Sequence, residues 1–198
     1  MIEVAVIDHG AGNLVSMMRA IETVGASPTL VTEGSLESFD RVVLPGVGAT
    51  GPAMRTLNST GLSDALRTYR GPLLGVCVGM QLLFEYSYED DTGCLGLLEG
   101  VVDGIDATPL PHIGWNSVAS DDDDGNDPLY YFVHSYVARP RSPSVIGGYT
   151  RYGKDRFASV VRRGDISGVQ FHPERSGNAG LALLSDFIAD VRRVDNVA

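Results

Sequence analysis

The stretch Gly75-Val76-Cys77-Val78-Gly79 sets the tightest limits on what this chain can become. It follows Pro72-Leu73-Leu74, an apolar run of the kind that fills a buried strand. It precedes Met80-Gln81-Leu82-Leu83-Phe84-Glu85, a helix-forming run. A cysteine is thereby placed at a strand-to-helix turn with glycine two residues away on each side. That is the form of a nucleophile elbow, with sulfur in place of the serine oxygen. The glycines fit because such a turn is sharp and neighbouring backbone must pass close by. A helix starting after Cys77 would aim N–H groups and partial positive charge at the sulfur, favouring thiolate. The same residues also fit a small cysteine packed between a strand and a helix, and the segment alone leaves both readings open.

The surrounding chain alternates strand and helix patterns. Residues 2–7 read as a first strand and end in the glycine-rich turn Asp8-His9-Gly10-Ala11-Gly12-Asn13. A helix should follow, with Leu14, Met17, Met18, Ile21 and Val24 on one face and Gly25 as its stop. Residues 28–32 and 41–44 read as strands, the latter ending at Pro45-Gly46-Val47-Gly48. A helical region broken at Gly61 leads to the strand before Cys77. This alternation predicts an α/β fold: a flavodoxin-like, mostly parallel sheet flanked by helices. Residues 129–137, 145–150 and 157–162 read as strands at hairpin-like spacing and are expected to extend that sheet in antiparallel fashion. Residues 166–174 return to the core, and a last helix buries Leu181, Leu184, Phe187, Ile188 and Val191, with Arg192 and Arg193 at its end. The 198 residues are expected to form one domain.

Gly10 and Gly12 lack the third glycine of a dinucleotide fingerprint, so that turn is only a weak nucleotide signal. The net charge of −10 argues against nucleic acid, which needs a basic surface. No apolar run of membrane-spanning length occurs, and the N-terminus reads as a strand, not a signal peptide. Two cysteines, Cys77 and Cys94, make no disulfide framework, and a cytoplasmic location is expected. One lysine stands against fourteen arginines, and residues 121–124 are four consecutive aspartates. Excess carboxylate repels itself at low salt and is tolerated when ions screen it. That pattern fits a high-salt cytoplasm, and equally an ordinary acidic protein with one charged loop.

A cysteine nucleophile needs a base and a group to orient that base. Among His9, His112, His134 and His172, only His172 has a carboxylate at i+2, Glu174. Along an extended segment the two would point to one side, and Pro173 between them marks a strand end. An oxyanion needs N–H donors. Val78, directly after the cysteine, offers one, and the amides of Gly46 and Val47 are candidates for the other if their strand lies beside the elbow strand.

Gly-Val-Cys-Val-Gly-Met-Gln at 75–81, Pro-Gly-Val-Gly at 45–48 and Val-Gln-Phe-His-Pro-Glu at 169–174 together resemble the class I, triad-type glutamine amidotransferases. Ile-Asp-His-Gly-Ala-Gly-Asn-Leu at 7–14, Pro-His-Ile-Gly-Trp-Asn at 111–116, Tyr-Phe-Val-His-Ser-Tyr at 131–136 and His-Pro-Glu-Arg-Ser-Gly at 172–177 are similar to the glutaminase subunits of imidazole glycerol phosphate synthases. The resemblance spans nearly the whole chain. It implies a Cys77-His172-Glu174 triad that hydrolyses glutamine to glutamate and ammonia, and an oxyanion site at Gly46, Val47 and Val78. It also implies glutamine contacts at Gly48, Gln81, His134, Ser135 and Tyr136, with no metal and no cofactor. Gln81 carries most weight among these, since a polar side chain one turn past the nucleophile has little packing reason to be there. The chain ends soon after Glu174, so the ammonia is expected to be used by a separate (βα)8-barrel cyclase subunit in a heterodimer. Asn13, Trp115 and Arg175 fall in segments that relatives use at that interface. Trp115 would equally suit core burial. Three departures stand out: Val78 replaces a common leucine, which leaves the N–H intact, His9 stands where tyrosine or another residue is common, which argues against a catalytic role for it, and Arg175 replaces a common lysine. The rival readings are an amidotransferase for another acceptor, in anthranilate or carbamoyl phosphate synthesis, a catalytically silent module on the same fold, and a stand-alone cysteine hydrolase of the related peptidase type, which Gln81 and the His-Pro-Glu ending fit poorly. The stretch at 111–116 disfavours the first, and intact Cys77, His172 and Glu174 disfavour the second.

Overall fold

A computed structural model describes residues 1–119 and 127–189. The aspartate run at 121–124 and residues Val191, Arg192 and Arg193 lie outside the described residues. The elements in chain order are β1 (Glu3–Ile7), α1 (Leu14–Thr23), β2 (Ser27–Val31), β3 (Arg41–Leu44), α2 (Thr50–Ser59), α3 (Leu62–Thr68), β4 (Leu73–Val76) and α4 (Val78–Leu82). Then come β5 (Tyr86–Ser87), β6 (Thr92–Gly93), β7 (Gly100–Gly104), β8 (His112–Ser117), β9 (Leu129–His134), β10 (Tyr136–Pro140), β11 (Ile146–Tyr152), β12 (Asp155–Arg163), β13 (Ile166–Val169) and α5 (Gly177–Ala189).

The main sheet has seven strands in the order β11-β12-β13-β4-β3-β1-β2. From β2 to β13 every pairing is parallel, and β13-β12-β11 continue antiparallel. The first five strands therefore run 2-1-3-4-13, the flavodoxin-like winding, with the order reversing between β1 and β3. Strands β1, β3 and β4 are nearly solid apolar runs because helices cover both faces. Four phenylalanines, Phe84, Phe132, Phe157 and Phe171, are fully buried. Each contributes about 1.5–3 kcal/mol from burial alone.

Two expectations need correction. The aromatic run 129–137 is neither one strand nor part of the main sheet. It divides at Ser135 into β9, which among the described residues pairs only with β8, and β10, which joins β7, β5 and β6 in a four-stranded sheet. The alternating pattern is real, but the pairing partner is set by distant residues rather than by local periodicity. The helix expected over residues 80–85 is a single turn ending at Leu82. Leu83 and Phe84 still bond back to Met80 and Gln81, but the amide of Glu85 goes to Gly100, so pairing with the next sheet wins over helix continuation.

Candidate active site

The parallel strands end at one rim, and the chemistry collects there. Cys77 follows β4, His9 follows β1, Pro45 follows β3, and Gln170 and His172 follow β13. Cys77 has φ 53 and ψ −110, a positive φ that a side chain rarely adopts. Its amide donates to Val169 O at 2.8 Å, and its carbonyl accepts from Gln81 N–H at 3.1 Å. The two glycines around it are sterically required. A Cβ on Gly79 would lie 1.7 Å from Leu44 O, and one on Gly75 would lie 2.6 Å from Gly79 O. The strained turn and these close approaches are the nucleophile-elbow geometry. Because α4 is one turn long, the macrodipole offers less to the sulfur than a full helix would.

Pro45-Gly46-Val47-Gly48 lies where an oxyanion segment is wanted, since β3 and β4 are neighbours. A Cβ on Gly46 would meet Val78 at 2.9 Å and Gly79 N at 3.1 Å, so this backbone presses directly on the elbow. Gly48 has φ 88. His9, buried and expected from the sequence to be non-catalytic, donates from Nε2 to Pro45 O at 2.7 Å and so pins the start of the segment, a role the sequence did not show. The far end is pinned by α2. That helix has no side-chain cap of its own, and Glu89 and Asp90 supply one from a distance, accepting from the amides of Thr50 and Gly51 at 3.0 and 2.9 Å. Burial pushes the Glu89 carboxyl up, against the lowering effect of its bond from Thr50.

His172 Nδ1 sits 3.0 Å from Glu174 Oε1, both side chains nearly inaccessible. The two side chains pair, but not through the extended geometry that their spacing suggests. Pro173–Arg175 form a 3-10 turn, which folds Glu174 back on the ring instead of extending it along a strand. Burial alone would lower the His172 pKa. The charge on Cys77 and the Glu174 carboxylate outweigh it and raise the imidazole to about 10. His172 Nε2 is buried with no formed hydrogen bond. The sulfur's own contacts are to Val133 O at 4.0 Å and Gln170 Nε2 at 3.6 Å. Cys77 and His172 thus interact through the sulfur's charge and a loose hydrogen bond instead of a tight one, as catalytic pairs often do before substrate tightens them.

The remaining sequence-derived positions fall into two groups. Gln81 is buried with a reason the sequence hid. Its Nε2 donates to Tyr136 O at 2.8 Å and to Gln170 Oε1 at 3.2 Å, leaving only Oε1 for a ligand. Both ring nitrogens of His134 are engaged, with His112 and with Tyr136 O, so a glutamine contact there falls to its backbone. Ser135 is the break between β9 and β10, its carbonyl bonded by Ile105 N–H. The second group lies on the outside. Trp115 is 56% exposed, which settles against core burial. Its ring and the Arg175 guanidinium both pack on Tyr131, and Asn13 stands at the N-terminus of α1, which packs against the turn holding Arg175. Gln170 was overlooked, although it carried a signal: a polar side chain between Val169 and Phe171 at the end of an apolar strand, two residues before His172.

Elbow, base pair and flavodoxin-like sheet together define a class I glutamine amidotransferase. The family model "Glutamine amidotransferase class-I" matches residues 5–191, and the chain belongs to that family. Its place within the family is with the HisH subunits of imidazole glycerol phosphate synthase. It is 42% identical to that subunit of Thiobacillus denitrificans, over 94% of this chain and 91% of the relative. It is 40% identical to that of a Synechococcus strain, over 97% and 95%. It also matches the chloroplastic hisHF protein of Arabidopsis thaliana at 43% identity, where 93% of this chain covers 34% of the longer polypeptide. Solved structures share the fold at lower identity. A glutamine amidotransferase has TM-score 0.74 at 20% identity, covering 93% of this chain and 97% of the other. PurLQS from Thermotoga maritima has 0.68 at 19%, covering 94% and 97%.

Proposed function

We propose that this chain is the glutaminase subunit of an imidazole glycerol phosphate synthase, acting in histidine biosynthesis in the cytoplasm. Cys77 attacks the side-chain amide of glutamine. The tetrahedral oxyanion is held by the Val78 N–H and by amides of the Gly46–Val47 segment. His172, oriented by Glu174, gives its proton to the departing ammonia and then draws one from the water that cleaves the thioester, leaving glutamate and the free thiol. Glutamine and water go in, glutamate and ammonia come out, and no metal or cofactor takes part. Backbone at Gly48, Ser135 and Tyr136 and the free Oε1 of Gln81 line the place for the substrate.

The observation that carries this reading is the strained Cys77 lying in electrostatic reach of the buried His172–Glu174 pair. The names of the relatives support the partner. A HisH subunit implies a second polypeptide, and in the Arabidopsis protein about two thirds of the length lies beyond the part matched here. We assign the acceptor to a (βα)8-barrel cyclase that takes ammonia through its interior and makes imidazole glycerol phosphate and an aminoimidazole carboxamide ribonucleotide. The contact face would be the outward side of the β8–β9 ribbon, where Ile113, Trp115 and Leu129 are exposed in a row beside the Arg175 that packs on Tyr131, with Asn13 at the start of the helix next to that turn. Glutamate release, measured with and without a matching barrel protein and its nucleotide ligand, tests the pair. A large rise on addition is expected, and equal rates would sink the obligate coupling. Cys77→Ala should abolish glutamine-dependent synthesis while added ammonia still supports it.

A further inference from the structure

A line of hydrogen bonds runs from β8 to the Cys77 sulfur, and chemistry fixes the direction of each one. The Tyr136 carbonyl accepts from His134 Nδ1 at 3.0 Å. A carbonyl cannot donate, so Nδ1 carries the ring proton. His134 Nε2 is then a bare acceptor and takes the proton of His112 Nδ1 at 3.0 Å. His112 Nε2 is bare in turn and accepts from Asn116 Nδ2 at 3.2 Å, whose second hydrogen goes to Arg151 O at 2.9 Å. On the other side of the same carbonyl, Gln81 Nε2 donates to Tyr136 O and to Gln170 Oε1. That second bond decides which way the Gln170 amide faces, so its Nε2 is the end presented to the sulfur, at 3.6 Å.

The scheme requires neutral rings, and both are neutral. Burial lowers His112 to about 4 and His134 to about 3. His112 is also stacked between Phe132 and Tyr152, which holds its ring plane. Packing explains why a ring sits there. It does not explain why two runs of donors, one through His112 and His134 and one from Gln81, meet at the Tyr136 carbonyl with no mismatched pair while Gln170 is left presenting an N–H to the one reactive sulfur.

We propose that His112, His134 and Gln170 are positioning residues for the nucleophile: the two imidazoles lock the Tyr136 carbonyl, that carbonyl locks Gln81, and Gln81 turns the Gln170 amide so that an N–H supports the thiolate of Cys77. This deepens the amidotransferase reading and rests on Cys77 being its nucleophile. An N–H donated to a thiolate favours that form and so the reactive species.

The test reads the thiol directly, on the full chain alone. The rate of iodoacetamide labelling at Cys77, followed by mass spectrometry of its peptide, needs neither glutamine nor a partner. Gln170→Met removes the donor at similar length and should slow labelling at pH 7 by about tenfold, the scale of one hydrogen bond to a charged group. His112→Phe keeps the stacked ring and removes the relay, and should slow it by about threefold, since it acts through others. His112→Asn restores a donor near the Nδ1 position and should return to within about twofold of the parent. Labelling of Gln170→Met at the parental rate overturns the proposal. Parental labelling of His112→Phe overturns the part given to the histidines, and so does slow labelling of His112→Asn, because loss without rescue is packing. Failure of the amidotransferase reading itself would look different: the parent chain would label normally yet release no glutamate with its partner.

Discussion

His172 and the His112–His134 pair are buried to nearly the same depth, at 2%, 3% and 7% exposure, yet the protein holds them in opposite charge states. Desolvation disfavours the cation at all three. The difference lies in what faces each ring. His172 meets a carboxylate and a reactive sulfur, and is driven up to about 10. At His112 and His134 burial wins, because they meet only an amide, a carbonyl and each other, with the charge of His172 also lowering His134, and they fall to about 4 and 3. A ring held charged and a pair of rings held neutral have thus been made from the same side chain within one site. Depth of burial tells nothing about which is which; the partners tell everything.

Breaking the charged partner should have the largest effect. Glu174→Gln keeps the shape and removes the charge that orients and supports His172. Loss of an orienting carboxylate in a triad lowers turnover by roughly 10²–10⁴. Glutamate release by the complex should fall within that range, well beyond anything caused by His112→Phe. Turnover within threefold of the parent would mean that Glu174 is an ordinary ion-pair partner.

The same contrast should appear in stability against pH, as a smaller effect with two separate limbs. A histidine unfolded titrates near 6.5. The stability that His172 contributes is complete below that value and is lost as pH rises through about 10. The neutral pair behaves in the reverse sense: its contribution is complete above 6.5 and is lost as pH falls toward 4 and 3. Thermal melts from pH 3 to 10 should therefore fall off on both sides. Glu174→Gln should flatten the alkaline limb and leave the acid one, and His112→Phe should do the opposite. A single limb that both substitutions change alike would mean that the two regions titrate as one.

How much of this the sequence disclosed follows from distance along the chain. The elbow was legible because its determinants are local: an apolar strand, glycines two residues either side of Cys77, and a helix-forming run after it. The His172–Glu174 pair was legible from spacing, although the turn that joins them is not the strand that spacing implied. The parallel sheet was legible from the alternation of runs. What stayed hidden depends on residues far apart. The β8–β9 ribbon joins 112–117 to 129–134, and nothing within 129–137 shows that the chain turns away at Ser135. Thr50 gives no hint that Glu89 will cap it from 39 residues away. Gln81 stood out because an inward polar side chain needs a partner, but the sequence did not show that its amide N–H groups go to Tyr136 O and Gln170, leaving its Oε1 for a ligand. Polar groups inside a protein are satisfied by whatever the fold brings near, and only coordinates name it.

Salt gives the smallest and most selective test of the contrast. With a net charge of −10, self-repulsion among exposed carboxylates destabilises the compact state at low ionic strength. The Debye length shrinks from about 30 Å at 0.01 M to about 3 Å at 1 M, so molar KCl should remove most of that repulsion and raise the melting temperature by a few degrees. The buried His172–Glu174 pair is screened far less, because no ion can come between its members. Melts in low and molar KCl at pH 7 and pH 9.5 should therefore differ by the same increment, with the position of the alkaline limb unmoved. No gain at pH 7 would remove the case for a surface adapted to salt. A limb that shifts with KCl would mean that ions reach His172, and that its charge is held by an open site instead of the enclosed pair described above.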